Sequence, residues 1–170
     1  ILMISRLEAG YSAESTVPID LDTILHDVVE LYEPVAEEMG VGLGAGVDGK
    51  HKIVGNRELV GQALSNIVDN AIKYSADSSE KPAVTVKAES ADGEIRLTVT
   101  DNGPGIPEND HARATERFVR LEQSRSRPGS GLGLSLAKAV MKFHGGRLDL
   151  SSAHPGLRVS MVFPASKEAD

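Results

Sequence analysis

Apolar residues return at helical intervals in two stretches of the first half of the chain, residues 21–39 and 56–75. Pro34 lies inside the first stretch, so a kink or an early break of that helix is expected there. Asn56 is suited to cap the second helix, because its side chain can accept a hydrogen bond from the first turn. The spacing predicts one buried stripe on this second helix, formed by Val60, Ala63, Leu64, Ile67, Ala71 and Ile72.

Strands are predicted where apolar and polar residues alternate. Residues 83–90 and 94–101 alternate on either side of Ala91-Asp92-Gly93, which indicates a hairpin. The Gly-rich residues 41–54 contain shorter alternating stretches and predict two weak strands.

The last part of the chain predicts one more helix and two more strands. The helix is expected over residues 132–144, because Gly145 and Gly146 stop it, and residues 147–152 and 157–163 form the closing pair of strands. The expected fold class is therefore α+β, a two-layer sandwich in which a mixed, mostly antiparallel sheet packs on about three helices.

The two ends of the chain are expected to lie outside this domain. Residues 1–10 have the pattern of a helix that ends at Gly10, and the polar residues 11–18 predict a linker. The domain is expected over residues 19–166, with a short tail at 167–170. Because the chain starts at Ile1, without an initiator Met or a signal-peptide pattern, we expect it to be part of a longer protein.

Composition limits the classes of function. The 170 residues are 40% hydrophobic and 25% charged, as in an ordinary globular domain. The 18 basic and 25 acidic side chains give a net charge of −7, which argues against a general nucleic-acid-binding surface. The absence of cysteine excludes disulfides, thiolate metal sites and cysteine nucleophiles. No apolar run approaches the roughly 20 residues of a membrane helix.

The helix over residues 56–75 carries a narrow polar stripe opposite its apolar side. Gln62, Asn66, Asn70 and Lys73 share this stripe, and Tyr74 borders it. Amide oxygens can bind Mg²⁺ when phosphates balance its charge, and Lys73 could reach those phosphates. The alternative is a solvated helix face.

Two Gly-rich segments add to this picture. The strand 94–101 runs into Asp101-Asn102-Gly103-Pro104-Gly105, where a ligand can approach the backbone while Asp101 accepts a hydrogen bond from an adenine amino group. A tight turn is the alternative. Residues 128–135 place alternate glycines at the start of a helix, an arrangement that binds phosphate. A dinucleotide fold is disfavoured, because no strand runs into this second segment.

A basic segment precedes the second Gly-rich loop. Residues 111–130 carry five arginines and two glutamates, so the local charge is 5 − 2 = +3. A solvated basic loop is one interpretation, and a short helix near Glu116 is expected within it. Beside the Gly-rich loop, we favour a lid over a polyanion. The arginines are Arg113, Arg117, Arg120, Arg125 and Arg127.

The order of these motifs resembles one family, the sensor histidine kinases. NIVDNAIKYS resembles their N box, DNGPGIP the first glycine box, ERFVRLEQSRSR the F box and PGSGLGLSLAKAV the second glycine box. The resemblance covers about residues 18–164, and ISRLEAG is similar to the end of the second dimerisation helix. It implies the Bergerat ATP-binding α/β sandwich shared with gyrase, Hsp90 and MutL proteins.

The resemblance also implies roles for residues. Asn70 would ligate Mg²⁺ with Asn66 nearby, and Asp101 would accept the adenine amino group. Lys73 and Tyr74 would contact the phosphates and the nucleoside. The base pocket would be shaped by Gly103, Gly105 and Ile106, and the lid and phosphate-binding helix start by Arg127, Gly129, Ser130, Gly131, Leu132 and Gly133. The expected catalytic residues are Asn66, Lys73 and Arg127, and Phe118 and Arg120 match the F box.

The sequence departs from the family pattern in two places. Ala114-Thr115 replaces the bulky apolar residue that often precedes the F-box Glu-Arg-Phe, so anchoring of the lid is expected to be weaker. The phosphoacceptor helix is absent. His26-Asp27 lacks the Leu-Arg-Thr-Pro sequel of an acceptor histidine, so we expect His26 to be a structural or surface residue.

The implied function is transfer of the ATP γ-phosphate to a histidine of the protein's own dimerisation domain in a homodimer, for relay to a response-regulator aspartate. ATP hydrolases of this fold place a Glu general base where this chain has Asn66, which cannot accept a proton at neutral pH. Transfer is therefore favoured over hydrolysis, while a catalytically silent nucleotide-binding module stays open. The implied cofactors are ATP and Mg²⁺. We expect no nucleic acid partner, no direct membrane contact, and a cytoplasmic location within a bacterial inner-membrane sensor.

Overall fold

The computed structural model describes residues 16–47, 49–77, 80–111 and 133–164. The strands are β1 (Val17–Asp20), β2 (Gly42–Val47), β3 (Lys52–Gly55), β4 (Ala83–Ala91), β5 (Glu94–Asp101), β6 (Arg147–Ser152) and β7 (Leu157–Pro164). The α-helices are α1 (Leu21–Met39), α2 (Arg57–Ala76) and α3 (Gly133–Phe143), and a 3₁₀ turn covers Glu108–Asp110.

Five strands form the main sheet in the order β2-β4-β5-β7-β6. β2 pairs with β4 in parallel, and the other neighbours are antiparallel. β1 and β3 form a separate antiparallel pair. The three described helices pack on the main sheet, with α1 over β2 and β4, α2 over β4 and β5, and α3 over β6 and β7. The expected α+β sandwich with a mixed, mostly antiparallel sheet is confirmed.

The core lies between the helices and one face of the sheet. Alternate residues of β5, Ile95, Leu97 and Val99, face the helices, and their register partners on β7 are buried with them. The stripe predicted for α2 is buried as expected, with every member at most 5% exposed. Burial of this apolar surface is the main force that orders the two layers.

Local capping explains where the helices begin and end. The Asn56 side chain accepts a hydrogen bond from the Leu59 N–H at 3.1 Å, so the predicted N-cap of α2 is present. The Asp20 side chain caps α1 by accepting a hydrogen bond from the Asp22 N–H at 2.9 Å. Gly40 ends α1 in the left-handed conformation, with φ of 71°.

Two details differ from the sequence prediction. Of the kink or early break expected at Pro34, the early break is wrong, because α1 continues through Pro34 to Met39. The ring lies on an exposed face, while buried Ala36 and Val41 hold the last turn against the core. Val17 and Pro18, which were expected to belong to the linker, lie in β1, because they pair with Gly55 and Val54 of β3.

Several expectations lie outside the described residues. These are the helix end within residues 1–10, the linker up to residue 15, the short helix near Glu116 and the tail 167–170. Within the described ranges, none of the helices is both long and apolar enough to cross a membrane.

Candidate functional site

The polar stripe of α2 is present and half-buried. Gln62, Asn66, Asn70 and Lys73 are each partly exposed along one side of the helix, while the opposite side packs into the core. Tyr74 is partly exposed beside them. A solvated face would leave such side chains in open water, so their intermediate burial favours a wall of a cleft.

Lys73 has a partner that the sequence motifs did not indicate. Its Nζ donates a hydrogen bond to Asp69 Oδ2 at 2.8 Å, and the two side chains are 28% and 26% exposed. Asp69 lies one helical turn before Lys73 and therefore belongs to the same side of α2. The charge of Lys73 is thus shared with a neighbouring carboxylate.

Asp101 is a buried carboxylate at the end of β5, with only 5% of its surface exposed. Its Oδ1 accepts hydrogen bonds from the Gly103 N–H at 2.9 Å and from the Leu157 N–H at 3.3 Å. Burial raises the pKa of the Asp101 carboxyl, although these two N–H groups act in the opposite direction. Because both described hydrogen bonds go to Oδ1, the second carboxylate oxygen, Oδ2, is the one that could accept a hydrogen bond from a ligand.

Glycines form a close-packed cradle beside Asp101. A Cβ on Gly103 would lie 3.1 Å from the Tyr74 carbonyl oxygen and from the Ser75 Cα, so the loop after β5 rests directly on the end of α2. Gly105 has φ of 73°, and a Cβ there would lie 2.9 Å from the Gly156 carbonyl oxygen. Ile106 packs partly buried against the core. The structure therefore brings Tyr74, Gly103 and Asp101 to one place.

The side chain of Asn102, the residue after Asp101, is hydrogen-bonded to backbone groups of the preceding segment. Its Oδ1 accepts a hydrogen bond from the Ala83 N–H at 2.9 Å, and its Nδ2 donates to the Lys81 carbonyl at 2.8 Å. Both ends of the amide are therefore used to hold the start of β4 against the end of β5. This explains why the position suits an amide rather than a ligand-binding group.

Sequence reasoning missed the contribution of the β6–β7 turn. Gly156 lies against the backbone of Asp101 so closely that a Cβ would overlap the Asp101 carbonyl oxygen, and Leu157 supplies one of the two amides to the carboxylate. The only sequence indication was the Pro155-Gly156 turn, which predicts a bend without naming what it contacts.

Asn66 also borders a second feature, an open groove of about 590 Å³ between α1 and α2. Ile24, Val28 and the exposed Leu31 contribute apolar lining, and Asp27 pairs with Arg57 at 2.7 Å beside them. Asn70 and Lys73 are not part of this lining. Gln62 and Asn66 of the polar stripe therefore line the groove, whereas Asn70 and Lys73 lie beyond it.

The start of α3 is the remaining part of the expected site. Gly133 is the first residue of α3, and the end of this helix meets the start of α2, where the Asn56 N–H donates to His144 Nε2 at 3.0 Å. α3 packs on α2, and the backbone N–H groups of its first turn carry the positive end of the helix dipole. Arg127, Gly129, Ser130, Gly131, Leu132, Phe118 and Arg120 lie outside the described residues.

The side chains present are compatible with a magnesium–nucleotide complex. No cluster of three or more His, Cys, Asp or Glu side chains that could hold a metal ion occurs in the described ranges. Asn66 and Asn70 offer neutral amide oxygens on α2, which suit a hard cation that also carries phosphate oxygens, and the Asp69 carboxylate beside them is paired with Lys73. The buried carboxylate and the glycine cradle are compatible with a flat base that offers an amino group.

Comparison with known proteins places this geometry in a family. The model of the histidine kinase-, DNA gyrase B- and HSP90-like ATPases matches residues 55–167. The chain belongs to this ATPase family. Within the family, its relatives include sensor histidine kinases, and the chain is a histidine kinase ATP-binding domain by sequence and by fold.

Individual relatives of the histidine kinase group agree with this assignment. The sensor-like histidine kinase SenX3 of Mycolicibacterium smegmatis is 31% identical over 158 residues, which is 92% of this chain and 40% of the relative. The mycobacterial sensor histidine kinase MprB superimposes with a TM-score of 0.75 at 31% identity, over 88% of this chain and 97% of that one.

The solved structure of full-length ShkA in complex with AMPPNP superimposes with a TM-score of 0.80 at 27% identity, over 97% of this chain and 35% of that one. The chain therefore spans well under half the length of the relatives that extend beyond this domain.

Proposed function

We propose that this domain binds ATP with Mg²⁺ and transfers the γ-phosphate to a histidine on a dimerisation domain of the same protein, for relay to a response-regulator aspartate. The segment before β1 would connect it to that dimerisation domain, in the cytoplasm of a bacterial cell. The observation that carries the proposal is the buried Asp101 carboxylate beside the glycine cradle and the polar stripe of α2.

Asp101 is the proposed determinant of base recognition. Its Oδ1 is held by the Gly103 and Leu157 amides, so the carboxylate has a fixed orientation before a ligand arrives. The other oxygen would accept a hydrogen bond from the adenine amino group. A guanine offers a carbonyl at that position, and two acceptors facing each other in a buried site are unfavourable. Asp101 would therefore favour ATP over GTP.

Asn70 is the proposed Mg²⁺ ligand, with Asn66 in the same shell and Lys73 directed at the phosphates. The bound ion would supply neutralisation of the charge that builds up on the transferring phosphoryl group. The residues of the chain would bind the ion and orient the nucleotide phosphates. Asn66 and Asn70 present neutral oxygens from one side of α2, and the backbone N–H groups at the start of α3 face an anion favourably.

Transfer is favoured over hydrolysis by the chemistry of the α2 stripe. Asn66 lies one turn before Asn70 and cannot take a proton from water at neutral pH. A domain without such a base can orient ATP for a separate imidazole nucleophile. Positioning and charge neutralisation would then supply most of the rate.

The base assignment is tested by titrating wild type and Asp101→Asn with ATP and GTP. This variant keeps an oxygen for the Gly103 and Leu157 amides and replaces the other by an NH₂ group. We expect ATP affinity to fall roughly tenfold to a hundredfold and the preference for ATP over GTP to disappear. Asp92→Asn, which removes the same charge from the exposed β4–β5 turn, should leave both affinities unchanged. An unaltered ATP preference in Asp101→Asn would exclude the base assignment.

The reaction is tested by adding a matching dimerisation domain and γ-labelled ATP to the chain. Phosphohistidine on the added domain is the expected product. Free phosphate as the main product would identify a hydrolase instead, and neither product together with normal ATP binding would identify a silent binding module. In the same assay Asn70→Ala should lose the metal-dependent part of the nucleotide affinity, whereas exposed Asn109→Ala should not.

A further inference from the structure

Asp69 is a charged group on the polar side of α2, next to Asn70, to which the family motifs assign no role. Asp69 lies between Asn66 and Asn70 in sequence and one turn before Lys73. Its carboxylate accepts the hydrogen bond from Lys73 Nζ at 2.8 Å described above. The carboxylate is three-quarters buried, with 26% of the side chain exposed, so solvent screens it only in part.

The charge of Asp69 also affects the neighbouring helix. Tyr32 of α1 is partly buried, and its pKa is raised first by burial and then by the negative charge of Asp69. The phenol is therefore neutral at physiological pH. Around Asp69 the polar groups of the stripe are the neutral Gln62, Asn66 and Asn70, and the charged partner is Lys73.

The balance of charge on this wall has a consequence for a polyanion. The cation of Lys73 is opposed by the carboxylate of Asp69, so the described part of the α2 stripe offers no net positive charge. Free ATP carries more negative charge than its magnesium complex, because the divalent ion cancels part of it. An unopposed Lys73 cation would attract free ATP more strongly than the metal complex, and pairing with Asp69 removes that advantage of the free nucleotide.

We propose that Asp69 is a specificity-determining residue of the nucleotide site, which selects metal-bound over metal-free nucleotide by cancelling the charge of Lys73. The inference rests on the proposed function, because it requires that Lys73 faces the phosphates. The alternative role for the pair is a contact on the helix surface that contributes only to stability. A surface contact would not change the dependence of nucleotide binding on metal.

The experiment measures the dissociation constant of ATP with excess Mg²⁺ and again with excess EDTA, in wild type and Asp69→Asn. The dissociation constant in EDTA divided by the constant in Mg²⁺ measures the preference for metal-bound ATP. We expect Asp69→Asn to bind free ATP roughly threefold to tenfold more tightly than wild type, with a smaller change for the metal complex, so the ratio falls. Lys73→Met leaves Asp69 unopposed and should raise the ratio.

A matched control separates local charge from net charge. Asp27→Asn changes the net charge by the same amount and also breaks an ion pair, the 2.7 Å contact with Arg57 on the surface of the same two helices. Its ratio should stay within twofold of wild type. An equal fall of the ratio in Asp27→Asn, or an unchanged ratio in Asp69→Asn, would overturn the inference.

The two proposals fail in different ways. Loss of ATP binding in the wild-type chain would remove the proposed function itself. Normal ATP binding that depends on Asp101, together with an unchanged ratio in Asp69→Asn, would remove only the role of Asp69. Circular dichroism melting of each variant shows that the comparison is made between folded proteins.

Discussion

At the scale of single residues, Gly156 is the most tightly constrained position near the candidate site. Its φ is 100°, a conformation that side chains other than hydrogen disfavour, and its Cα packs against the Asp101 backbone. β5 cannot withdraw from this contact easily, because it is paired on both sides. The glycine therefore permits the turn to approach the carboxylate and place the Leu157 amide on it.

Gly156→Ala should be strongly destabilising. We expect a loss of about 2–4 kcal/mol in the free energy of unfolding, from the strained φ and from the overlap with the Asp101 carbonyl oxygen. Denaturant-induced unfolding measures it. Gly44→Ala is the matched control, because a Cβ at Gly44 of β2 meets nothing within 4 Å. Equal losses in the two variants would show that the close approach at Gly156 does not matter.

At Asp101 the sequence predicted a hydrogen-bond acceptor beside a Gly-rich backbone, with a tight turn as the alternative. The structure adds that this carboxylate is buried, and its role toward adenine stays a prediction. The roles of Asn102 and Gly156 depend on residues about 20 and 56 positions away, so no local pattern could reveal them. The Asp69–Lys73 pair has the i, i+4 spacing of a helical ion pair, which is a local pattern that the sequence does contain.

At the scale of elements, His144 joins α3 to α2. Its Nδ1 donates to the Val140 carbonyl at 2.8 Å, and its Nε2 accepts from the Asn56 N–H at 3.0 Å, so the ring must be neutral in this arrangement. Phe143 and Phe163 contact the ring edge-on. A Cβ on Gly55 would lie 2.7 Å from the ring, so the glycine leaves room for it.

The neutral ring makes stability depend on pH. Burial lowers the pKa of His144 in the folded chain, and the Val140 carbonyl raises it by a smaller amount. The unfolded chain therefore takes up the proton first as the pH falls. The stabilisation is fully present above the ordinary histidine value of 6.5 and is lost as the pH falls below it toward the folded pKa.

The measurement is the free energy of unfolding of wild type and His144→Gln between about pH 8 and pH 5. We expect wild type to lose stability over the lower half of this range and His144→Gln to show a flatter profile. His154→Gln, a substitution at an exposed histidine, should keep the wild-type slope. A profile of His144→Gln as steep as that of wild type would contradict the assignment.

The bounds of most helices and strands follow from the periodicity of apolar residues in the sequence. The exceptions are elements that form only through tertiary packing or strand pairing. The bounds of α2, β4 and β5 agree with the sequence prediction, because long periodic patterns and the Asn56 cap act locally. Pro34 did not end α1, since packing of the last turn outweighs one missing hydrogen bond. β1 could not be predicted, because Val17 and Pro18 become a strand only through their pairing with β3.

At the scale of the whole molecule, the class of the fold was predictable and the strand order was not. Two separate helical patterns with alternating runs favour a two-layer sandwich. The assignment of neighbouring β2 and β3 to different sheets, and the parallel pairing of β2 with β4, depend on how the layers close over the core. No feature of the Gly-rich residues 41–54 distinguishes these pairings.

Nucleotide binding should stabilise the entire domain. A ligand that binds only the folded state adds about 2.7 kcal/mol when its concentration is about 100 times its dissociation constant. For a chain of this size we expect the melting temperature to rise by about 5–10 °C with ATP and Mg²⁺. Thermal melting with ATP and EDTA should show a smaller rise, and GTP with Mg²⁺ smaller still. Equal effects of ATP and GTP would contradict the adenine pocket.

The hydrogen bond between Asn56 and His144 joins the start of α2 to the end of α3, and these two helix ends lie away from the proposed phosphate site. If α3 moves relative to α2 while this hydrogen bond is kept, the displacement of α3 grows with distance from the bond. A small rotation of α3 about this hydrogen bond would therefore move the start of α3, the proposed phosphate-binding end, the farthest. Substitutions at Gly55 or His144 would thus change nucleotide affinity by changing the orientation of α3 on α2, although neither residue contacts the nucleotide.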